Sequence, residues 1–367
     1  MRHLLTLLAF AAPVGTAAAQ GHWRPEIGVV GGFARIMPAG GGQPRYLDRL
    51  ELPGTAASYP TVFVVIPLTS RLALEPAIAG SRSAFTEAND LIPATSSTNV
   101  RVTLRADLAI AKGFYIAAGG LVRYKETDDI NDTQLGALGA LGYREELGSR
   151  LAARIEFQWV TQRQTDSLVP TNVYAMLLGF SHRLEGRAAA PAAQRDASSE
   201  RRRPWRPAFG IAGGYVRNHV YGSAFGSDFD AHESFAILPG SGSPALPPLF
   251  VVLPLYGRLA LETAVGGERT QLPGSTAIDG RFSTRLNLAI YRGGYVAGGG
   301  TVLYVEQAGR PAFAFAGAHV AAGYRFPLPE GLDGRAEVSF TTFKERQNFP
   351  LAQNTLAILL GVTMGLD

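Results

Sequence analysis

Between residues 97 and 111 the side chains alternate. Val100, Val102, Leu104, Ala106, Leu108 and Ile110 are apolar; Arg101, Thr103, Arg105, Asp107 and Ala109 fall between them. Successive strand residues face opposite sides, so a period of two predicts a strand with one apolar and one ionic face. The stretch RLALEPAIAG (71–80) divides the same way: Leu72, Leu74, Pro76 and Ile78 oppose Ala73, Glu75, Ala77 and Ala79. In 150–160, Leu151, Ala153, Ile155, Phe157 and Trp159 oppose Ala152, Arg154, Glu156 and Gln158. In 114–124, Phe114, Ile116, Ala118, Val122 and Tyr124 oppose Tyr115, Ala117, Gly119 and Arg123.

Turn residues and this alternation predict eight strands, near 24–37, 58–68, 71–85, 97–111, 114–126, 133–145, 150–163 and 172–184. Their connections alternate in length. Thr69-Ser70, Lys112-Gly113 and 145–149 read as short turns; 38–57, 86–96, 127–132 and 164–171 read as longer polar loops. Short turns on one rim and long loops on the other predict an antiparallel up-and-down meander that closes into a barrel and so removes its edges.

The pattern then repeats. RPEIGVVGGFAR (24–35) returns as RPAFGIAGGYVR (206–217), and RLALEPAIAG as RLALETAVGG (258–267). LRADLAIAKGFYIAAGGLVRY (104–124) returns as TRLNLAIYRGGYVAGGGTVLY (284–304), and NVYAMLLGF (172–180) as NTLAILLGV (354–362). The order is preserved at a period of about 182 residues. The Ala-, Pro-, Ser- and Arg-rich segment 185–205 between the copies reads as a solvated linker. The expected organisation is therefore a first barrel repeat at 21–184, the linker, and a second repeat at 206–367. The alternative is one barrel of about 16 strands, in which the connection between the eighth and ninth strands should be a short turn.

The face assignment carries the functional reading. Eight strands enclose an interior just wide enough for side chains. The apolar face is bulky, whereas the other is mostly Ala and Gly with Arg, Glu and Asp at intervals. This predicts apolar residues turned to lipid and an ionic interior. Glu75 would then pair inside with Arg105, or with Arg123 or Arg154. Four ionic positions recur in both copies: Glu75/Glu262, Arg105/Arg285, Arg154/Arg335 and Glu156/Glu337. An unpaired buried charge costs several kcal/mol, so matched partners are expected. Two positions differ, Asp107 becoming Asn287 and Arg123 becoming Leu303.

Each copy, with its eight strands, short turns against long loops, Gly-rich strands and ionic interior, resembles the small eight-stranded outer-membrane barrels, the outer-membrane-protein-A-like family. The resemblance implies the cell outer membrane as location, outer-membrane lipid as surroundings and the barrel-insertion machinery as a partner. In that family the last strand carries an insertion signal; Leu356, Ile358, Leu360, Val362, Met364 and Leu366 alternate as that signal would, although the sequence closes on Leu366-Asp367 without a terminal aromatic.

Composition narrows the classes further. Of 367 residues 46% are hydrophobic and only 17% charged, with 43 Gly. Beyond the N-terminus no apolar stretch approaches the roughly 20 residues of a spanning helix, so any membrane-spanning form is a barrel. MRHLLTLLAFAAPVGTAAAQ has a basic start, an apolar core and an Ala-x-Ala exit, and residues 1–20 read as a cleaved signal peptide. With no cysteine there is no disulfide or thiol-metal chemistry. A net charge of +4 is too mild to argue nucleic-acid binding.

Catalytic signals are weak. His319 falls on an inner face where the first copy has Leu138, with no motif pairing it to a serine or an acid; His182 and His219 are likewise isolated. Asp228, Asp230, His232 and Glu233 in GSDFDAHESF (226–235), and the acids of ETDDIND (126–132), fit no defined cation loop and read as solvated loop residues. The strand glycines precede no helix and cradle no phosphate. No enzyme, metal or cofactor is expected, and no ligand is named. The expected role is structural or surface-interacting, through the long loops. The alternatives are a porin-like passive channel of 16 strands, or a soluble periplasmic barrel binding a small apolar ligand.

Overall fold

The computed structural model describes residues 23–38, 47–51, 62–85, 95–127, 130–147, 151–164, 171–184, 205–221, 229–236, 249–272, 275–291, 293–307, 312–328, 332–344 and 352–366. The signal-peptide segment and 185–204 of the linker lie outside them. The described chain is all-β and antiparallel. The first repeat holds β1 (Glu26–Pro38), β2 (Leu47–Glu51), β3 (Val62–Pro67), β4 (Leu72–Phe85), β5 (Thr95–Ala109), β6 (Phe114–Thr127), β7 (Ile130–Glu146), β8 (Leu151–Gln164) and β9 (Thr171–Arg183). The second holds β10 (Ala208–Tyr221), β11 (Phe229–Ala236), β12 (Leu249–Pro254), β13 (Leu259–Leu272), β14 (Ser275–Tyr291), β15 (Gly294–Gln307), β16 (Phe313–Pro327), β17 (Leu332–Phe343) and β18 (Ala352–Gly365).

Two segments read from the sequence as loop contain strand. β2 lies within 38–57, and β11 takes in residues 229–235 of GSDFDAHESF. Neither has a long alternating pattern; each is ordered by pairing on both of its edges. The 127–132 connection also differs, because β6 and β7 pair as far as Thr127↔Ile130.

Strand pairing differs between the two ends of the molecule. At the short-turn rim, β3 sits between β1 and β4, and β9 returns to β1 over the whole of that strand, which closes a ring. Likewise β12 sits between β10 and β13, and β18 returns to β10. At the loop rim the partners exchange. There β2 pairs with β1 on one edge and β13 on the other, while β11 pairs with β10 and β4. The order at that rim is one circuit: β1, β2, β13, β14, β15, β16, β17, β18, β10, β11, β4, β5, β6, β7, β8, β9 and back to β1. Two narrow rings thus open into one wide one.

Each strand that changes partner carries glycine at the change: Gly31-Gly32 in β1, Gly80 in β4, Gly213-Gly214 in β10 and Gly266-Gly267 in β13. A Cβ on Gly32 would stand 2.1 Å from the Met176 carbonyl oxygen, and one on Gly214 2.1 Å from that of Ile358. Only glycine allows the backbones to close up where the strands part company. Below the fork, outward-facing Val29, Val62 and Ile211 are buried between the two rings, with Phe209 and Leu249 against them.

The two faces are strictly separated. Leu104 is 52% and Ile155 50% exposed on the outside, whereas Glu75 is 2% and Arg105 4% exposed within. The same outer face presents Val102, Leu108, Phe157, Leu286, Val338 and Leu360, all exposed. Phe114, Tyr143, Tyr256, Tyr291 and Tyr324 cluster at the short-turn end.

Candidate functional site

The strand period turns Glu75, Arg105, Asp107, Arg154 and Glu156 of the first ring inward among small residues such as Ala73, Ala77 and Ala117, and adjacent strands bring the charges to one level. In the first ring, Arg105 holds Glu156 through two bonds of 2.6 and 2.7 Å and meets Glu75 at 3.0 Å and Asp107 at 3.0 Å. Arg154 donates to both oxygens of Glu75, at 2.6 and 3.2 Å. Tyr115 completes the layer, its hydroxyl donating to Glu156 at 2.6 Å.

The second ring repeats the arrangement with Glu262, Arg285, Arg335 and Glu337. Arg285 holds Glu337 at 2.8 and 2.6 Å and reaches Glu262 at 2.8 Å. Arg335 holds Glu262 at 2.9 and 3.2 Å and also bonds Glu337. Tyr295 donates to Glu337 at 2.6 Å. Asn287 takes the place of Asp107 and donates to Glu262 at 2.9 Å. The structure therefore brings all eight sequence-derived ionic residues together, four per ring. Arg123 is not among them; it donates to Asn99 at 3.2 Å, nearer the loop rim.

Aromatic rings set each layer's position. Phe63 lies over Gly28 and under Arg154, whose guanidinium carbon is 3.6 Å from the ring centre; Phe250 lies over Gly210 and under Arg335 at 4.5 Å. Tyr115 and Tyr295 lie over Gly142 and Gly323, where a Cβ would come within 2.2 and 2.4 Å of the ring. The inner face is small because those rings need the space.

Several interior residues escape the sequence reading. Trp23 and Trp205 cap the short-turn ends. Each indole donates to a turn carbonyl, Arg71 at 2.9 Å and Arg258 at 2.8 Å, and each ring meets the layer's tyrosine edge-on. A signal exists, because the repeat extends one residue further back, as WRPEIG and WRPAFG. A second cluster, Glu26 with Arg144 and Ser181, and Arg183 with Glu146, belongs to the first ring. The second ring has Ala208 for Glu26, and there Arg325 lies over Trp205 at 4.0 Å. His319 is buried, at 2.8 Å from both Arg285 and the Thr341 hydroxyl, which accounts for it as part of a hydrogen-bonded core.

A charged layer with tyrosine, two aromatic shelves and a tryptophan cap fills a lumen of this size. It fixes strand register, since a one-residue slip would turn every charge into the outer face. Among the described residues no group of three or more His, Cys, Asp or Glu is arranged to hold a metal.

No family model matches the chain, and no curated protein is similar to it in sequence. Among solved structures it is similar to the CymD monoaromatic hydrocarbon channel, at 8% identity and a TM-score of 0.30, over 94% of this chain and 88% of that one. A Pseudomonas aeruginosa FadL homologue is similar at 12% identity and 0.29, over 94% and 91%. The NanC porin is similar at 9% identity and 0.23, over 79% and 100%.

Proposed function

We propose that this chain is an outer-membrane β-barrel protein whose two narrow lumens are occluded by their ion-pair layers, and that it serves a structural or surface-interaction role through its loop rim. One observation carries the reading: a continuous band of large apolar side chains faces outward while the arginines and carboxylates of the same strands are buried inside. In water that arrangement is inverted; in hydrocarbon it is the stable one, because a closed barrel pairs its backbone groups between strands and keeps its buried charges away from lipid. The aromatic residues at the short-turn end suit a membrane interface. The signal-like N-terminus supports export.

A second reading, the porin-like channel, is favoured by the wide circuit at the loop rim. The filled lumens below it support occlusion instead. The full chain should require detergent for solubility and should migrate differently on gels before and after heating. Solubility without detergent would end the membrane reading. In planar bilayers the folded protein should show no steady large conductance; a stable porin-sized conductance would replace occlusion with a channel.

A further inference from the structure

The two seams where strands change partner carry the same pattern on their outer face. At one seam β2 lies between β1 and β13. Arg35 stands opposite Asp48 and donates to both of its carboxylate oxygens, at 2.7 and 2.8 Å. Two residues on, Leu50 stands between Phe33 on β1 and Arg269 on β13, on that same outer face. At the other seam the register repeats, with β11 between β10 and β4. There Arg217 stands opposite Glu233, and Phe235 stands between Tyr215 and Arg82.

Arg82 and Arg269 occupy matching positions of the two repeats, and both are exposed. Neither makes an ion pair or a side-chain hydrogen bond among the described residues. Each seam thus sets two arginines against one carboxylate and keeps one positive charge. That charge borders apolar surface: Leu50 is 52% exposed, Phe33 40%, and Met176, opposite Phe33 on β9, 57%. Further donors share the outer face. Gln271 and Thr276 stand opposite each other beside Arg269, and Thr98 stands opposite Arg82. An outward arginine is costly at the bilayer midplane and cheap near the interface, so these two mark the level at which headgroups begin.

We infer that each seam binds the terminal phosphate of a lipid headgroup in the leaflet at the loop rim. The guanidinium fork matches two phosphate oxygens. A phosphate monoester has three strong acceptor oxygens, which leaves one for the threonine or glutamine donor. At the first seam Phe33, Leu50 and Met176 lie along the acyl chains. The site needs both repeats, because Arg269 comes from the second and Arg35 and Leu50 from the first. It deepens the surface-interaction reading and rests on the membrane-barrel reading, which detergent dependence and gel migration test separately.

The test uses the full chain in phosphatidylcholine nanodiscs doped with phosphatidic acid, whose headgroup is a phosphate monoester. Native mass spectrometry counts the lipids that stay bound. Two phosphatidic acids per chain are expected, and phosphatidylglycerol, a diester, should be retained less. Arg269→Gln and Arg82→Gln should each leave one, and the double variant none. Heat-modified migration checks that each variant folds, and Arg269→Met replaces Arg269→Gln if that one does not. Arg163, exposed on β8 opposite Leu135 and away from both seams, is the control. Two lipids on the double variant, an equal loss from Arg163→Gln or equal retention of phosphatidylcholine would each overturn the assignment. Displacement of the lipid by millimolar inorganic phosphate would also overturn it, in favour of a site for a free anion.

Discussion

Glu75 and Arg105 stand directly opposite each other on β4 and β5, yet Arg105 gives its paired contact to Glu156 across the lumen and only a single contact to Glu75. Glu75 receives its own pair from Arg154. The layer is therefore a crossed network in which each charge has partners on more than one strand, and it ties the barrel together across its diameter.

Breaking that network on one side should be severe. Arg105→Met leaves Glu156 and Asp107 without their main cation inside a filled lumen, and a loss of about 3–5 kcal/mol is expected. Arg285→Met should behave similarly in the second ring. Urea unfolding in micelles reads both. Arg105→Met combined with Glu156→Leu should recover part of the loss, because no stranded charge then remains between them; strict additivity of the two single changes would argue against the crossed network.

The exchange of partners at the loop rim can be tested by cross-linking, because the native chain has no cysteine to interfere. Leu50 of β2 stands opposite Arg269 of β13. The double variant Leu50→Cys with Arg269→Cys should form a disulfide on mild oxidation, visible after proteolysis between the repeats as two fragments held together. A pair joining β2 to β4, Leu50→Cys with Arg82→Cys, should not. The opposite result would mean that each ring keeps its own strands up to the rim.

Glycines on one strand should differ sharply in tolerance. A Cβ on Gly119 would lie 2.2 Å from the Leu104 carbonyl oxygen and 2.5 Å from the Arg105 Cα, so Gly119→Ala must push β5 and β6 apart beside the ion-pair layer. The next residue, Gly120, has its nearest atom at 3.7 Å, an ordinary contact. Gly119→Ala should lower the temperature of the heat-modified gel shift, whereas Gly120→Ala should leave it nearly unchanged.

The outer face should reject charge. Leu104→Arg and Ile155→Arg, at mid-strand exposed positions, should each cost about 2–4 kcal/mol in bilayers, while an arginine replacing Leu68 at the short-turn rim should cost at most about 1 kcal/mol. Folding titrations into vesicles measure the difference. Equal costs at the two depths would place these residues outside a hydrocarbon layer.

The period of two along β4, β5, β6 and β8 was enough to assign the inner and outer faces over most of each strand, because the pleat turns alternate side chains to opposite faces whatever the strand's neighbours are. The recurrence of RLALE at 71–75 and 258–262 was legible in the same way, and both carboxylates, Glu75 and Glu262, are buried. What remained hidden was partner choice. The sequence offered Arg105, Arg123 and Arg154 as partners for Glu75 without ranking the contacts; that Arg154, from β8, gives the paired contact and Arg123 none follows only once the ring has closed. The short strands β2 and β11 were illegible because their order comes from being paired on both edges, and one of the two partners belongs to the other repeat.

By itself, then, the order of residues determined the long strands, their alternating faces and the eight recurring charged positions, all of which follow from local backbone geometry and from what can be buried. The tertiary structure alone decided that β1, β4, β10 and β13 change partners at the glycine forks, and that arginines reach across the lumen. These depend on where distant strands come to lie, and closing a sheet into a ring sets that through stagger and curvature which no single segment encodes.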